Sequence, residues 1–151
     1  MIRATVQSEP IDIGRAIAEA QTGGAGAIAT FTGIVRGDDG VTALELEHYP
    51  AMTEAAMHAL AEEAATRWSL LAARVIHRIG RMTPGEPVVT IATVAPHRHA
   101  ALDACAFLID MLKTQAPFWK REWRGEAGAW VEARPGDDRA LARWREHPVE
   151  D

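Results

Sequence analysis

Lysine is scarce in this chain. Of its 16 basic residues, 14 are arginines and only Lys113 and Lys120 are lysines. A guanidinium stays charged throughout the biological range, whereas a crowded or desolvated lysine amine can lose its proton and act as a base or a nucleophile. The closeness of the two lysines in the sequence has two explanations, an arginine-rich composition or a chemical role. The neighbourhood favours the second, because a helix end, Pro117 and two aromatic residues are expected to hold the two amines close together.

Cysteine and long apolar runs are also nearly absent. The single cysteine, Cys105, excludes an intrachain disulfide and any multi-cysteine metal site. Its position between Ala104 and Ala106, on the apolar stripe of a predicted helix, favours a packed thiol over a nucleophile. The start of the chain does not resemble a signal peptide, and no stretch approaches the roughly 18 apolar residues of a membrane span. We therefore expect a cytoplasmic protein that does not interact with a membrane.

The charge balance limits the kinds of partner. A formal net charge of -5 argues against a general nucleic-acid binder, which would show a basic face and a high pI. Any anion site must therefore be a local pocket. The length of 151 residues and the hydrophobic content of 48% fit a single domain spanning residues 1–151.

Hydrophobic periodicity predicts an α+β fold with a largely antiparallel sheet, two long helices and a C-terminal hairpin. Glycines at 37 and 40 predict a hairpin turn between the second and third strands. In the longer C-terminal helix, Leu102, Cys105, Ile109 and Leu112 are expected to face inward. The predicted strands are 2–7, 27–36, 41–49, 73–79, 88–95, 119–124 and 129–134. The predicted helices are one within 8–20, capped by Asp12, and 53–68, 99–116 and 137–145.

Two further basic segments are candidates for anion binding. The segment Pro96-His97-Arg98-His99 lies where a predicted strand runs into a helix, and backbone N–H groups and the helix dipole favour an anion there. Arg36, before a glycine turn, is the second candidate. His97 and His99 could instead bind a metal, but no third ligand is placed by spacing, so we predict no metal and no cofactor. The histidines interpreted as structural are His48, His58 and His77.

Five segments along the chain carry a family resemblance. They are Phe31-Thr32-Gly33-Ile34-Val35-Arg36, Leu46-Glu47-His48-Tyr49-Pro50-Ala51-Met52-Thr53-Glu54, Ile76-His77-Arg78-Ile79-Gly80, His97-Arg98 and Leu112-Lys113-Thr114-Gln115-Ala116-Pro117-Phe118-Trp119-Lys120-Arg121-Glu122. In this order they resemble the large, catalytic subunit of molybdopterin synthase. Several strings are long and unusual, and the match runs from about Gly26 to Arg134.

The resemblance implies a transferase of molybdenum cofactor biosynthesis. The family acts on cyclic pyranopterin monophosphate and installs two sulfurs to make the dithiolene of molybdopterin. The sulfur arrives as a thiocarboxylate on the C-terminal glycine of a small ubiquitin-like sulfur carrier ending in Gly-Gly, whose tail enters the large subunit's pocket. The family assembles as a homodimer of large subunits with one small subunit at each end, and the same heterotetramer is expected here.

The resemblance also implies which residues contact the substrate. Arg36, His97 and Arg98 would hold its phosphate. Lys113 and Lys120 would be the catalytic pair, one orienting the incoming tail or its acyl intermediate and the other acting as acid and base. The full implied set is Ile34, Val35, Arg36, His97, Arg98, Lys113, Lys120, Arg121, Glu122 and Arg134.

Three positions depart from the family pattern. Ile34 stands where the family commonly has a lysine, so one basic contact is missing. The loop from Gly37 to Gly40 is shorter than usual and acidic, which is expected to alter substrate entry or ordering. Ala51 replaces a frequent glycine, and little effect is expected.

One expectation goes beyond the resemblance. A continuous helix from Arg98 to Lys113 would separate its ends by about 22 Å at 1.5 Å per residue, which is too far for one pterin-sized ligand. We therefore predict a pocket shared between two subunits, with His97 and Arg98 of one facing Lys113 and Lys120 of the other. Two other functions stay open: a non-catalytic docking subunit that binds the sulfur carrier, and an unrelated phosphate-binding domain of similar fold.

Overall fold

The structure, a computed structural model, describes residues 1–131 and 142–144. Over these residues the chain alternates short strands with three helices. In chain order the elements are β1 (Ile2–Gln7), α1 (Ile13–Ala20), β2 (Ala27–Ile34), a 3-10 turn (Asp38–Gly40), β3 (Ala43–His48), α2 (Met52–Trp68), β4 (Ala72–Arg78), β5 (Gly80–Met82), β6 (Pro87–Ala95), α3 (Arg98–Gln115), β7 (Phe118–Arg124) and β8 (Ala127–Trp130). Residues 142–144 are also helical. None of the described helices is long and apolar enough to cross a membrane.

The strands form two four-stranded sheets. Sheet A has the order β1-β4-β6-β2, and sheet B has the order β5-β3-β7-β8. Only β1 and β4 pair in parallel, and every other pair of these strands is antiparallel. The predicted α+β class with largely antiparallel pairing is therefore confirmed, as are the two long helices and the hairpin of β7 and β8.

The predicted hairpin between β2 and β3 is wrong, because these strands belong to different sheets. The intervening loop is tied to β7 instead: the Thr42 N–H donates to the Trp123 carbonyl at 2.8 Å, and Arg124 Nε donates to the Asp39 carbonyl at 2.9 Å. Asp39 has a positive φ of 57°, which redirects the chain. Strand β5 is not among the predicted strands, because its three residues are too few for a periodic pattern.

The main core lies between sheet A and the helices α2 and α3. Phe107 and Leu108 of α3 and Met57 of α2 are fully buried there. The prediction that Leu102 faces inward is wrong, since its side chain is 57% exposed. It is offset from the buried stripe by one residue, or about 100° of helix. The buried residues of α3 are Ala101, Ala104, Cys105, Phe107, Leu108, Met111 and Leu112.

Trp144, in the described segment 142–144, packs on this core. Its ring makes edge-to-face contacts with Trp68 and Phe107, with centroids 5.7 and 5.6 Å apart. Its indole Nε1 donates to Asp110 Oδ2 at 2.7 Å. The rest of the predicted helix 137–145, and the predicted site residue Arg134, lie outside the described residues.

Candidate functional site

Lys113 and Lys120 lie on either side of a short link between α3 and β7. Lys113 is in the last turn of α3 and is exposed, and Lys120 is the third residue of β7 and is half-buried. The helix ends at Gln115 because Ala116 precedes Pro117, and a residue before proline disfavours the helical conformation. Ala116 accordingly has extended backbone angles, φ -82° and ψ 125°. The proline thus ends the helix and immediately precedes the strand that carries the second lysine.

The link itself is held by contacts from two other elements. The Thr53 hydroxyl, in the first turn of α2, donates to the Pro117 carbonyl oxygen at 2.8 Å and accepts from the Tyr49 N–H at 3.0 Å. On β4, the His77 imidazole stacks on the Phe118 ring, with centroids 4.0 Å apart and planes 26° apart. Residues distant in sequence therefore determine the path of the chain between the two lysines.

His77 is an uncharged imidazole beside this link. Its Nδ1 lies 2.9 Å from the Arg78 carbonyl oxygen, and because a carbonyl can only accept, Nδ1 carries the proton. Burial lowers the pKa of His77 to about 4; the hydrogen bond to Arg78 opposes this shift, and the nearby Lys113 ammonium adds to it. The site therefore has a neutral buried histidine close to Lys113 at physiological pH.

Three consecutive residues of β7 are predicted to contact the substrate, and the register of sheet B places them on two different faces of the sheet. Lys120 lies opposite Leu46, and Glu122 lies opposite Leu44. Residues directly opposite each other in a ladder project to the same face of the sheet. Lys120 and Glu122 therefore share the face on which Leu46 enters the core, and Arg121 projects to the other face.

On that other face, Arg121 belongs to a cluster of aromatic and charged side chains. Its guanidinium lies 4.0 Å from the centroid of Trp130, and its NH1 lies 3.8 Å from Glu45 Oε1. Glu45 also accepts a hydrogen bond from the Trp123 indole at 3.0 Å. Within one chain, Arg121 and Lys120 thus face different surroundings.

Ile34 and Val35, at the end of β2, differ in their exposure to solvent. Ile34 is 47% exposed, whereas Val35 is buried in the core. The Val35 N–H donates to the Glu86 carbonyl, and the Val35 carbonyl accepts from the Gly85 N–H, both at 2.9 Å. Val35 therefore holds this strand end in place, and its side chain does not reach a surface ligand.

Arg36 lies at the same end of sheet A as Lys113. Strand β2 ends beside the first residue of β6, and α3 packs on β2 and β6 while running back from the far end of β6. The Arg36 side chain is 65% exposed, and its Nε lies 3.5 Å from Asp38 Oδ2. An exposed pair of this kind is weak, so the guanidinium can turn to an anionic ligand.

His97 and Arg98 lie at the opposite end of α3. The helix runs without a break from Arg98 to Gln115, which confirms the predicted continuous helix and puts Arg98 about 22 Å from Lys113. Both residues are exposed, and the His97 side chain makes no capping hydrogen bond. Gly26 passes this helix start so closely that a Cβ there would lie 1.9 Å from the Pro96 carbonyl oxygen.

The described side chains do not suggest a metal centre or a thiol nucleophile. Among residues 1–131 and 142–144, no three His, Cys, Asp or Glu side chains are grouped so that they could hold a metal ion. Cys105 is buried, and burial raises the pKa of its thiol to about 11, against a smaller opposite effect of its hydrogen bond with Thr93. Cys105 is therefore protonated at physiological pH and is a core residue, as the sequence analysis predicts.

The structure thus brings part of the predicted set together. Arg36 and Lys113 lie at the end of sheet A where α3 finishes. Lys120 and Glu122 share one face of β7, the strand that follows α3, and His97 and Arg98 lie at the opposite end of α3. Thr53 and His77, which contact the link, are absent from the predicted set. Both fall within segments that carry the family resemblance, and that signal could have identified them.

Comparison with known proteins gives a consistent result. The family model described as MoaE protein matches residues 6–115. The molybdopterin synthase catalytic subunit of Cereibacter sphaeroides is 52% identical over 149 residues, covering 95% of this chain and 100% of the relative. The Escherichia coli protein of the same name is 50% identical, covering 79% and 81%. The solved structure of the molybdopterin biosynthesis MoaE protein from Burkholderia ambifaria superposes with a TM-score of 0.84 at 44% identity, covering 96% of this chain and 99% of that chain.

Proposed function

This chain belongs to the MoaE protein family of molybdopterin synthase catalytic subunits, and on that premise we propose how its residues perform the reaction. The chain is a sulfur transferase of molybdenum cofactor biosynthesis. It converts cyclic pyranopterin monophosphate to molybdopterin by installing the two dithiolene sulfurs. The sulfur donor is the C-terminal thiocarboxylate of a small ubiquitin-like carrier, and the reaction takes place in the cytoplasm.

The placement of the two lysines is the observation that supports their assignment as the catalytic residues. Lys113 and Lys120 are the only lysines of the chain, and both flank the link that Thr53 and His77 hold. An arginine at either position could not release a proton in the biological range. Retention of lysine at these two positions, in a chain that otherwise uses arginine, supports proton transfer as their role.

The proposed chemistry follows from charge. The thiocarboxylate of the incoming tail is an anion. A fixed ammonium beside it stabilises the negative charge on the oxygen and sulfur of the acyl group during transfer. One lysine orients the tail or its acyl intermediate, and the other donates and accepts the proton. Arg36, at the same end of the sheet, holds the substrate phosphate. Glu122 shares the face of Lys120 and assists in orienting it.

The substrate site is shared between two large subunits in this proposal. His97 and Arg98 of one subunit supply phosphate contacts to the pocket that contains Lys113 and Lys120 of the other. The length of α3 supports this arrangement, because the two groups are about 22 Å apart within one chain. Two large subunits and two sulfur carriers then form the active heterotetramer.

The test is conversion of cyclic pyranopterin monophosphate by the chain with its thiocarboxylated partner. We expect wild type to form the dithiolene, and Lys113→Ala and Lys120→Ala to lose about 100- to 10,000-fold in turnover while remaining folded. Arg15→Ala is the matched control, since it removes one positive charge from an exposed side chain of α1. Equal losses in all three variants would contradict the assigned roles.

One observation favours a second candidate, a docking subunit that binds the carrier without turnover. Ile34, where the family commonly has a lysine, is 47% exposed, so a basic surface group is replaced by an apolar one. The same assay separates the two functions. A wild-type chain that binds the carrier but forms no dithiolene is a docking subunit, and Ile34→Lys would then be expected to restore turnover.

A further inference from the structure

The residues between the two lysines are held at successive positions by two different elements. Pro117 accepts a hydrogen bond from Thr53 of α2 at 2.8 Å. Phe118, the next residue, stacks on His77 of β4 with ring centroids 4.0 Å apart. Thr53 is fully buried and His77 is 8% exposed. Both contacts are therefore made by side chains that are themselves buried.

We propose that Thr53 and His77 are positioning residues that set the separation and orientation of Lys113 and Lys120. The proposal deepens the proposed function and rests on it for its catalytic consequence. Neither residue needs to touch the substrate. Their effect is transmitted through Pro117 and Phe118, which connect the end of α3 to the start of β7.

The Thr53 hydroxyl is suited to this role because it makes two hydrogen bonds, one as donor and one as acceptor. It donates to the Pro117 carbonyl and accepts from the Tyr49 N–H, which fixes the rotamer of the side chain. Pro117 has no N–H of its own, so its carbonyl is the one backbone group through which a hydrogen bond can hold this residue. Loss of the hydroxyl would let the helix end and the strand start move relative to each other.

The His77 contact is suited to this role because the ring is held in one orientation. Its Nδ1–H is bonded to the Arg78 carbonyl, and Arg78 is itself anchored to Glu86 at 2.9 Å and to the Ser8 carbonyl at 3.2 Å. The imidazole is thus a fixed flat surface on which Phe118 rests. A displacement of about 1 Å at a catalytic group can cost on the order of 100-fold in rate.

Two pairs of variants isolate the two contacts. Thr53→Ser keeps the hydroxyl, and Thr53→Val keeps the shape but removes it. His77→Phe keeps an aromatic ring against Phe118, and His77→Leu removes it, while both lose the hydrogen bond to Arg78. Val94→Ala is the control for lost stability, since Val94 is fully buried in β6 near the His97 end.

The first measurement is turnover in the assembled enzyme. We expect Thr53→Val and His77→Leu to lower kcat about 100-fold with KM changed less than about threefold. Thr53→Ser should stay within about threefold of wild type in both constants. His77→Phe keeps the stacked ring but loses the bond to Arg78, so its kcat should fall by about tenfold, less than that of His77→Leu. The proposal is overturned if the conservative variants lose as much as the disruptive ones, or if Val94→Ala, at matched thermal stability, loses as much.

The second measurement does not depend on activity. Because the chain has two lysines, an amine-acetylating reagent labels only Lys113, Lys120 and the N-terminus, and peptide mass spectrometry separates the three rates. We expect Thr53→Val and His77→Leu to change the labelling rate of Lys113 or Lys120 by at least about threefold relative to the N-terminus. Unchanged ratios in both variants would overturn the positioning role even if the wild-type chain were catalytically inactive, whereas an inactive wild type with altered ratios would contradict only the proposed function.

Discussion

Arg98 and Lys113 occupy opposite ends of one uninterrupted helix, about 22 Å apart. Both are in the set implied to contact the substrate, yet one pterin-sized ligand cannot span them within a chain. The shared pocket therefore makes a prediction about mixed dimers. Combining a His97→Ala/Arg98→Ala chain with a Lys113→Ala chain creates one pocket with every group intact and one pocket that lacks His97, Arg98 and Lys113.

We expect verified mixed dimers to recover up to about half of the wild-type turnover per dimer, whereas each parent homodimer stays about 100-fold or more reduced. Differently tagged chains purified in tandem would confirm the composition before the assay. Turnover no higher than that of the parents would contradict a pocket shared between two chains.

Ala51 has a backbone conformation that favours glycine. Its φ is 65° and its ψ is -48°, and the Met52 N–H donates to the Pro50 carbonyl at 2.8 Å around it, which is a strained γ-turn. The expectation that alanine here has little effect is therefore not supported. We predict that Ala51→Gly raises the free energy of unfolding by about 1 kcal/mol.

Denaturant titration of the Ala51→Gly variant measures this change. The control is Ala59→Gly, at an exposed interior position of α2, which should lower the free energy of unfolding by about 1 kcal/mol because glycine is a poor helix former. A loss of stability in both variants would show that Ala51 is not strained.

His77 should contribute to acid sensitivity. Its pKa is lowered to about 4 in the folded state by burial, whereas the unfolded chain binds the proton near pH 6.5. Above pH 6.5 both states are neutral. As the pH falls from 6.5 toward 4 only the unfolded state gains the proton, so folding stability falls in that window, by about 2 kcal/mol between pH 7 and pH 5.

The measurement is the free energy of unfolding of wild type and His77→Phe at pH 7 and pH 5. The variant should lose about 2 kcal/mol less than wild type over this interval. Identical losses would mean that His77 takes up its proton in the folded state as readily as in the unfolded chain.

Cys105 should be chemically inert in the folded chain. Its thiol is buried, and its pKa is raised to about 11 chiefly by burial, so the reactive thiolate is scarce at pH 8. We expect its reaction with a disulfide reagent to be at least about 100-fold slower in the native chain than in 6 M guanidinium. Cys105→Ala should retain turnover, and a large loss in a folded variant would assign the thiol a direct role.

The local sequence pattern was sufficient to predict most of the helices and strands. The period of apolar residues located α2 and α3 to within one residue at each end, and Pro117 marked the end of α3 because its geometry acts on the neighbouring residue. Residue chemistry was also readable directly: two lysines among arginines, and a cysteine on an apolar stripe. These features depend on the covalent chain and its nearest neighbours, so they are encoded locally.

Tertiary structure decided what those elements pair with and which way their side chains face. Strands β2 and β3 follow each other closely, yet β3 pairs with β7, because its partner is selected by long-range packing and not by turn length. The register of β3 and β7 sends Arg121 away from Lys120. Packing of β4 and α2 against the start of β7 brings His77 against Phe118 and Thr53 to Pro117, across 41 and 64 residues of sequence. Contacts at such separations have no local signature, since the residues that make them meet only when both sheets and α2 have assembled.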